Sequence, residues 1–219
     1  MAGVFRDRRD AGIQLAAKLS RYARDPNVLV LGLPRGGVPV AYQVALRLEA
    51  PLDVFVVRKL GVPDHRELAM GAIASGGVRV INQEVVTALK IAPAMIDAVA
   101  AEEQIELERQ QRVYRGSLPF PDVQGRTVIV VDDGLATGST MRAAVQALRH
   151  MEPRQIVAAA PVAAAETCRS LALDADEVVC ARVPESFHSV STWYEEFSQT
   201  TDEEVRALLE SGLESRTMV

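Results

Sequence analysis

Short apolar segments alternate with amphipathic helical patterns along most of the 219-residue chain. The apolar segments show no polar alternation, which is typical of strands covered on both faces. They lie at residues 28–31, 53–57, 127–131, 155–160 and 177–181. Apolar residues recur at helical spacing between them, at residues 9–23, 39–48, 138–150 and 163–171. The alternation predicts an α/β fold with an open, mostly parallel, Rossmann-like sheet flanked by helices.

The regular alternation stops between residues 61 and 125. Residues 69–81 have the pattern of a hairpin, and residues 83–114 have that of one or two polar helices, the second starting at Pro93. We interpret residues 61–125 as an insertion, or a mobile flap, within the α/β core.

The C-terminal residues 182–219 have a different composition. An amphipathic helix is predicted at 202–213, with Asp202 as its N-cap. Aromatic residues precede it at Phe187, Trp193, Tyr194 and Phe197. The predicted organisation is a core at residues 1–181, which contains the insertion, followed by a small C-terminal cap.

The charge and the apolar content exclude several classes of protein. A formal net charge of −5 and a pI near 5.3 argue against a broad nucleic-acid-binding face, which needs many Lys and Arg contacts to phosphate. The longest apolar run, residues 156–165, is about half a membrane span, and the N-terminus lacks the apolar stretch of a secretory signal. We therefore expect a cytoplasmic protein. We also expect Cys168 and Cys180 to be buried thiols.

Candidate chemistry is concentrated in residues 128–140, which read VIVVDDGLATGST. Two carboxylates, Asp132 and Asp133, directly follow an apolar strand, and ligands of open parallel sheets bind beyond the carboxyl ends of strands. A small-residue loop then opens a helix and offers backbone N–H groups and hydroxyls to a phosphate. This loop consists of Ala136, Thr137, Gly138, Ser139 and Thr140. Asp-Asp-Gly alone would indicate only a turn, but the whole string suits a sugar phosphate.

The same string resembles the PRPP-binding motif of type I phosphoribosyltransferases, in which an apolar strand ends in two acidic residues and a loop ending T-G-S/T follows. The resemblance implies that Asp132 and Asp133 hold the ribose 2′ and 3′ hydroxyls of 5-phosphoribosyl 1-diphosphate (PRPP). It implies Mg²⁺ as the cofactor, held by these two carboxylates, partly through water. Residues 136–140 would bind the 5′-phosphate.

Two further segments match what this family needs for pyrophosphate. A turn with Arg35, Gly36 and Gly37 follows the first core strand, and the next strand ends at Arg58 and Lys59. A dinucleotide-binding site does not fit, because the turn lacks the GxGxxG spacing and the second strand does not end in an acid. A surface turn and a solvated strand end are the alternative interpretations of these basic residues.

The resemblance covers roughly residues 9–181. The segments GLPRGGVPVA, VRKLGVP and HRELAMGAIA, with the later WYEEF, are similar to a bacterial subgroup of phosphoribosyltransferase-like proteins with an unassigned acceptor. Ala136 stands where hypoxanthine–guanine enzymes carry an Asp near the base, which argues against a 6-oxopurine acceptor.

The implied activity is transfer of the 5-phosphoribosyl group to a nitrogenous acceptor, a nucleobase or a related amine, with release of pyrophosphate. The implied catalytic residues are Asp132, Asp133, Arg58 and Lys59, and Arg35 would join the two basic residues in stabilising the leaving group.

Other residues have two open interpretations each. Phe187, Trp193 and Tyr194 could stack on a planar acceptor or could anchor the C-terminal segment on the core. A cover that excludes water is also expected. Its candidates are the segment 61–115, with His65, Arg66 and Glu67, and the run 112–116, although these could equally be exposed polar residues of a helical insertion.

A non-catalytic regulator that binds PRPP or a nucleotide on the same fold is the alternative function. Proteins of this fold also include subunits that keep the pocket without turnover and regulators that act through RNA. For RNA, Arg109, Arg112 and Arg115 could form a local arginine face. The acidic balance opposes nucleic acid as a partner. The predicted partners are therefore PRPP and a small-molecule acceptor, without a membrane and with a homodimer as the candidate assembly.

Overall fold

The structure, a computed structural model, describes residues 3–63 and 65–217. Its strands are β1 (Val28–Gly32), β2 (Leu52–Val54), β3 (Val57–Val62), β4 (His65–Ala74), β5 (Val78–Ile81), β6 (Thr127–Val131), β7 (Gln155–Val162) and β8 (Glu177–Arg182). Its helices are α1 (Arg8–Lys18), α2 (Gly37–Leu48), α3 (Gln83–Ala88), α4 (Pro93–Arg115), α5 (Ser139–Arg149), α6 (Ala165–Leu171) and α7 (Asp202–Thr217).

Five strands form a parallel sheet in the order β2-β1-β6-β7-β8. The central strands β1 and β6 are buried at every residue, which explains their unbroken apolar sequences. Alternate residues enter two apolar layers: Val30 and Ile129 pack with α1, α2 and α7, whereas Leu29 and Val128 pack with α5. The predicted α/β class and parallel sheet are confirmed.

The predicted strand at 53–57 was wrong in one respect, because two strands share this run. β2 ends at Val54 in the parallel sheet, and β3 begins at Val57 in a separate antiparallel sheet of order β3-β4-β5. Phe55 and Val56, at the change of sheet, are buried. The apolar pattern therefore continues across the break, and periodicity alone does not reveal it.

The region between β3 and β6 contains the predicted hairpin, β4–β5, and the predicted helix that begins at Pro93, α4.

The end of α4 is attached to the parallel sheet by Arg115, whose Nε and Nη2 each lie 3.0 Å from a carboxylate oxygen of Asp53. The Arg115 side chain is only 7% exposed. Burial raises the pKa of Asp53, and Arg115 opposes that increase. The pair fixes α4 to edge strand β2.

The C-terminal segment packs against the N-terminus. The Phe5 N–H donates to the Trp193 carbonyl at 2.8 Å. The predicted cap of α7 was wrong: the Thr201 Oγ1 accepts the Glu204 N–H at 3.1 Å and caps the helix. Asp202 is instead the first residue of α7, and its Oδ1 accepts a hydrogen bond from the Tyr114 hydroxyl at 2.7 Å.

Across the described ranges, none of the helices combines the length and apolar character needed to cross a membrane.

Candidate active site

The loops after β1 and β6 meet at the carboxyl edge of the parallel sheet. From β1 the chain continues to β2, toward one edge of the sheet, and from β6 it continues to β7, toward the opposite edge. The strand order therefore reverses between β1 and β6. Ligands of open α/β sheets bind at such a switch point. The predicted acidic motif and the predicted glycine turn therefore share one site.

Asp132 and Asp133 face different parts of this site. Asp132 lines the cavity of the small-residue loop, and its Oδ1 accepts the Asp133 N–H at 2.9 Å. The Asp133 Oδ2 accepts a hydrogen bond from the Arg8 Nε at 2.9 Å. Burial, followed by the Asp133 charge, raises the pKa of Asp132 to about 8. Burial also raises the pKa of Asp133, and Arg8 opposes that increase.

The loop after the acidic pair surrounds a cavity of about 170 Å³. Gly138 precedes α5 with a φ of 67°, and a Cβ there would lie 2.6 Å from the Thr167 Cγ2. Both the backbone and the available space require glycine. The Thr167 hydroxyl donates to the Ala136 carbonyl at 2.5 Å, so α6 supports the loop from behind. The exposed Thr137 and the N-terminus of α5 are suited to an anion.

Two glycines bring the turn after β1 against the acidic pair. A Cβ at Gly36 would lie 2.0 Å from the Asp133 Oδ2, and a Cβ at Gly37 would lie 2.5 Å from the Val131 carbonyl oxygen. Only glycine allows so close an approach. The turn and the acidic motif are consequently in direct contact.

The predicted pyrophosphate-binding charges lie near this turn, and two of the three have acidic partners. Arg35 follows a cis peptide bond, and its Nη1 lies 3.8 Å from the Asp202 Oδ1. The Arg58 Nε and Nη2 lie 2.7 and 2.6 Å from the Glu103 Oε2. Lys59 has no ion-pair partner among the residues that the structure describes.

A second cavity, of about 650 Å³, lies between β3 and α4. Arg58 and Lys59 line one wall, and Glu102 and Glu103 of α4 line the other. Thr140 lines this cavity and the smaller one, so the two adjoin. The candidate groove thus consists of two adjoining cavities, with the small-residue loop at one end and paired charges at the other.

The aromatic residues after β8 anchor the C-terminal segment. Tyr194 is 6% exposed, its ring centroid lies 4.9 Å from that of Phe197, and its hydroxyl donates to the Asp133 carbonyl at 2.5 Å. Burial raises the pKa of Tyr194. Phe187 and Trp193 are partly buried in the same cluster. Their contact with an acceptor stays a prediction.

The structure describes only some of the side chains that are candidates for the cover. His65 is exposed at the start of β4. The side chains of Arg66 and Glu67 lie outside the described part of the chain. In the run 112–116, Tyr114 is buried, which ties the end of α4 to the core.

The arginine face considered for RNA is incomplete. Arg115 is buried against Asp53, and the Arg109 Nε lies 2.8 Å from the Glu106 Oε2. Arg112, by contrast, is exposed and has no acidic partner within the described ranges. The two ion pairs reduce the positive surface that phosphate contacts would need.

The two cysteines adjoin behind the small-residue loop. Cys168 of α6 and Cys180 of β8 are both half-buried, more exposed than predicted, and their Sγ atoms are 3.2 Å apart. The hydrogen bond between the thiols lowers the pKa of Cys168 to about 7, and the pKa of Cys180 is raised.

Sequence reasoning missed two residues of the site, Arg8 and Glu103. Neither belongs to a motif, and they lie 125 and 45 residues from Asp133 and Arg58, their partners. The only local signal is Asp7, a helix N-cap that puts Arg8 at the first position of α1.

The chain matches the family model described as phosphoribosyl transferase domain over residues 6–196. It therefore belongs to the phosphoribosyl transferase family, and the resemblance found in the sequence is confirmed.

The chain is also similar to individual proteins. A provisionally named phosphoribosyl transferase of Mycobacterium tuberculosis (strain H37Rv) is 47% identical over 207 residues, which are 94% of this chain and 46% of that protein. The chain thus spans about half the length of this curated relative. The crystal structure of TT1426 from Thermus thermophilus has a TM-score of 0.86 at 41% identity and covers 95% of this chain and 98% of that one. A Bifunctional protein PyrR of Corynebacterium diphtheriae is 25% identical over 130 residues, 59% of this chain and 50% of that protein.

Proposed function

We propose that this chain binds PRPP with Mg²⁺ and transfers the 5-phosphoribosyl group to a nitrogenous acceptor, a nucleobase or a related amine. The observation that carries the proposal is the contact between the acidic motif at the end of β6 and the glycine turn at the end of β1. This contact joins an open anion-binding loop to a groove lined by basic residues. A ligand with a phosphate at one end and a pyrophosphate at the other matches that order.

Asp132 and Asp133 are suited to hold Mg²⁺ together with the substrate. Among the described residues there is no group of three or more His, Cys, Asp or Glu side chains that could enclose a metal. Mg²⁺ commonly binds through one or two carboxylates plus substrate phosphates and water. Burial raises the pKa of both carboxylates, and a bound cation would favour their ionised forms. When bound, Mg²⁺ would neutralise the charge of the pyrophosphate leaving group.

The other roles follow from the partners of each residue. Residues 136–140 would bind the 5′-phosphate. Lys59 would contact the pyrophosphate without first breaking an ion pair. Arg58 would exchange Glu103 for a pyrophosphate oxygen. During transfer, the bond from C1 of the ribose to the pyrophosphate oxygen breaks and a bond from C1 to the acceptor nitrogen forms. The cytoplasmic location, the homodimer, the aromatic acceptor contacts and the division at residue 181 remain predictions.

Calorimetric titration with PRPP, with and without Mg²⁺, tests the proposal. We expect magnesium-dependent binding by the wild type and none by Asp132→Asn, Asp133→Asn. Asp25→Asn is the matched control, because Asp25 precedes β1 at the opposite edge of the sheet. Pyrophosphate release in a screen of bases and amines would then identify the acceptor.

Absence of PRPP binding by the folded wild type would overturn the proposal. PRPP binding with salt-sensitive RNA binding and no pyrophosphate release would instead favour the regulator.

A further inference from the structure

The first residue of α1 places a guanidinium against the acidic motif. The Asp7 Oδ1 caps α1 by accepting the Asp10 N–H at 2.7 Å, which fixes the direction of Arg8. The Arg8 Nε then lies 2.9 Å from the Asp133 Oδ2, and the two side chains are only 12% and 15% exposed. This ion pair is shielded from solvent, in contrast to the typical surface pair.

Residues of the C-terminal segment hold Arg8 from the other side. The Arg8 Cζ lies 4.0 Å from the centroid of the Phe197 ring, a stacking that suits a guanidinium. The Arg8 Nη1 donates to the Ser198 carbonyl at 2.6 Å. The Arg8 guanidinium is therefore held by Asp133 on one side and by Phe197 and Ser198 on the other, so its orientation does not depend on Asp133 alone.

The pair also contacts the glycine turn. A Cβ at Gly36 would lie 2.0 Å from the Asp133 Oδ2 and 3.3 Å from the Arg8 Nε. The Asp133 carboxylate and the Arg8 guanidinium thus both lie beside the turn. Asp132, by contrast, lines the cavity.

We infer that Arg8 is a positioning residue of the PRPP site: it holds the Asp133 carboxylate against the glycine turn and connects the C-terminal segment to the acidic motif. The inference rests on the proposed function. Because Asp133 is paired with Arg8, Asp132 is the carboxylate that is left to line the cavity. Arg8 acts on the substrate through Asp133 and not by direct contact.

A purely structural role for Arg8 predicts different results. In that case, Arg8→Ala would lower the midpoint of thermal unfolding but leave the PRPP affinity of the folded protein unchanged. A positioning role predicts a loss of affinity that depends on Asp133.

The experiment is a double-mutant cycle on Mg²⁺-PRPP affinity, measured by calorimetry below the unfolding transition of each variant. We expect Arg8→Ala to weaken binding by about 10-fold to 100-fold, the range for a lost charge-assisted hydrogen bond. Arg8→Lys should recover part of the loss, since it restores the charge without the planar fork. Arg8→Ala should cause little further loss in an Asp133→Asn background.

Arg9→Ala is the control, because Arg9 is the next residue of α1 and is exposed. If Arg8→Ala does not fold, Arg8→Gln takes its place, and it should also weaken binding. Wild-type affinity in the folded Arg8→Ala or Arg8→Gln protein would overturn the inference and leave the proposed function intact. Absence of binding by the wild type would overturn both.

Discussion

The two ends of the candidate groove are built in different ways. The phosphate end consists of one continuous strand, loop and helix, residues 128–149, and its shape depends on glycine and on support from α6. The pyrophosphate end takes its charges from the turn after β1 and from β3. There, Arg35 and Arg58 already have acidic partners on α7 and α4.

The difference separates a pre-formed subsite from one that must exchange partners. A phosphate can approach the exposed loop without displacing an ion pair. A pyrophosphate must compete with Glu103 for Arg58, although the exposure of that pair, 34% and 29%, limits its strength. We therefore expect substitutions at the phosphate end and the acidic motif to weaken binding strongly. Substitutions of the acidic partners should strengthen it slightly.

The largest effect is expected for Asp132→Asn. This change removes the carboxylate that lines the cavity, and Mg²⁺-PRPP binding should weaken by about 100-fold or more. Calorimetry measures the loss, and circular dichroism should show unchanged secondary structure. Undiminished affinity would remove Asp132 from the site.

The same variant should change the pH dependence of stability. The pKa of Asp132 is about 8 in the folded protein and about 4 in an unfolded chain. Between these values the folded state holds a proton that the unfolded state has lost, so this group makes the protein less stable as the pH rises from about 4 to about 8. Relative to wild type, the unfolding midpoint of Asp132→Asn should therefore increase over that range. A constant difference across the range would contradict the raised pKa.

Gly138→Ala should have the next largest effect. The added Cβ would strain a left-handed backbone and collide with Thr167, which displaces the phosphate loop. Binding of PRPP and of ribose 5-phosphate should weaken about 10-fold, with a loss of stability of about 1–3 kcal/mol. Gly125→Ala is the matched control, because its φ of 68° is nearly the same but no atom lies within 4 Å of the added Cβ. An affinity loss in Gly125→Ala as large as that in Gly138→Ala would show that the effect is not specific to the phosphate loop.

A smaller effect of opposite sign is expected for Glu103→Gln. Loss of this acid frees Arg58, so pyrophosphate and PRPP should bind about two- to fivefold more tightly. Glu102→Gln is the control, because Glu102 lines the same cavity but is not the Arg58 partner. Titration with pyrophosphate alone measures the effect. Weaker binding to Glu103→Gln would mean that Glu103 supports the site instead of competing for it.

The smallest effect on PRPP binding is expected at the thiols behind the phosphate loop. Cys180→Ala should change PRPP affinity less than about twofold, as for most substitutions away from a ligand. Its effect should be on Cys168, whose pKa of about 7 depends on the hydrogen bond from the Cys180 thiol. The rate of Cys168 alkylation by iodoacetamide should increase with pH through about 7 in the wild type and at higher pH in Cys180→Ala, which has no donor at this position. Identical pH profiles would contradict this dependence.

The same contrast explains what the sequence could predict. The strand, acidic pair and loop of residues 128–140 were predictable because their determinants are adjacent in sequence and each has a local cause. The partners of the pyrophosphate end were not, because the pairing of Arg58 with Glu103 depends on how α4 packs against β3. The change of sheet at Phe55 was missed for a related reason, since a residue buried in either sheet carries the same apolar signal.

Hydrogen exchange with and without saturating Mg²⁺-PRPP tests the central claim most directly, because it reports both ends of the groove in one measurement. We predict that the amides of residues 136–140 and of Gly36 and Gly37 both exchange more slowly in the presence of PRPP. Unchanged exchange in both segments at saturating PRPP would contradict the assignment of this groove as the PRPP site.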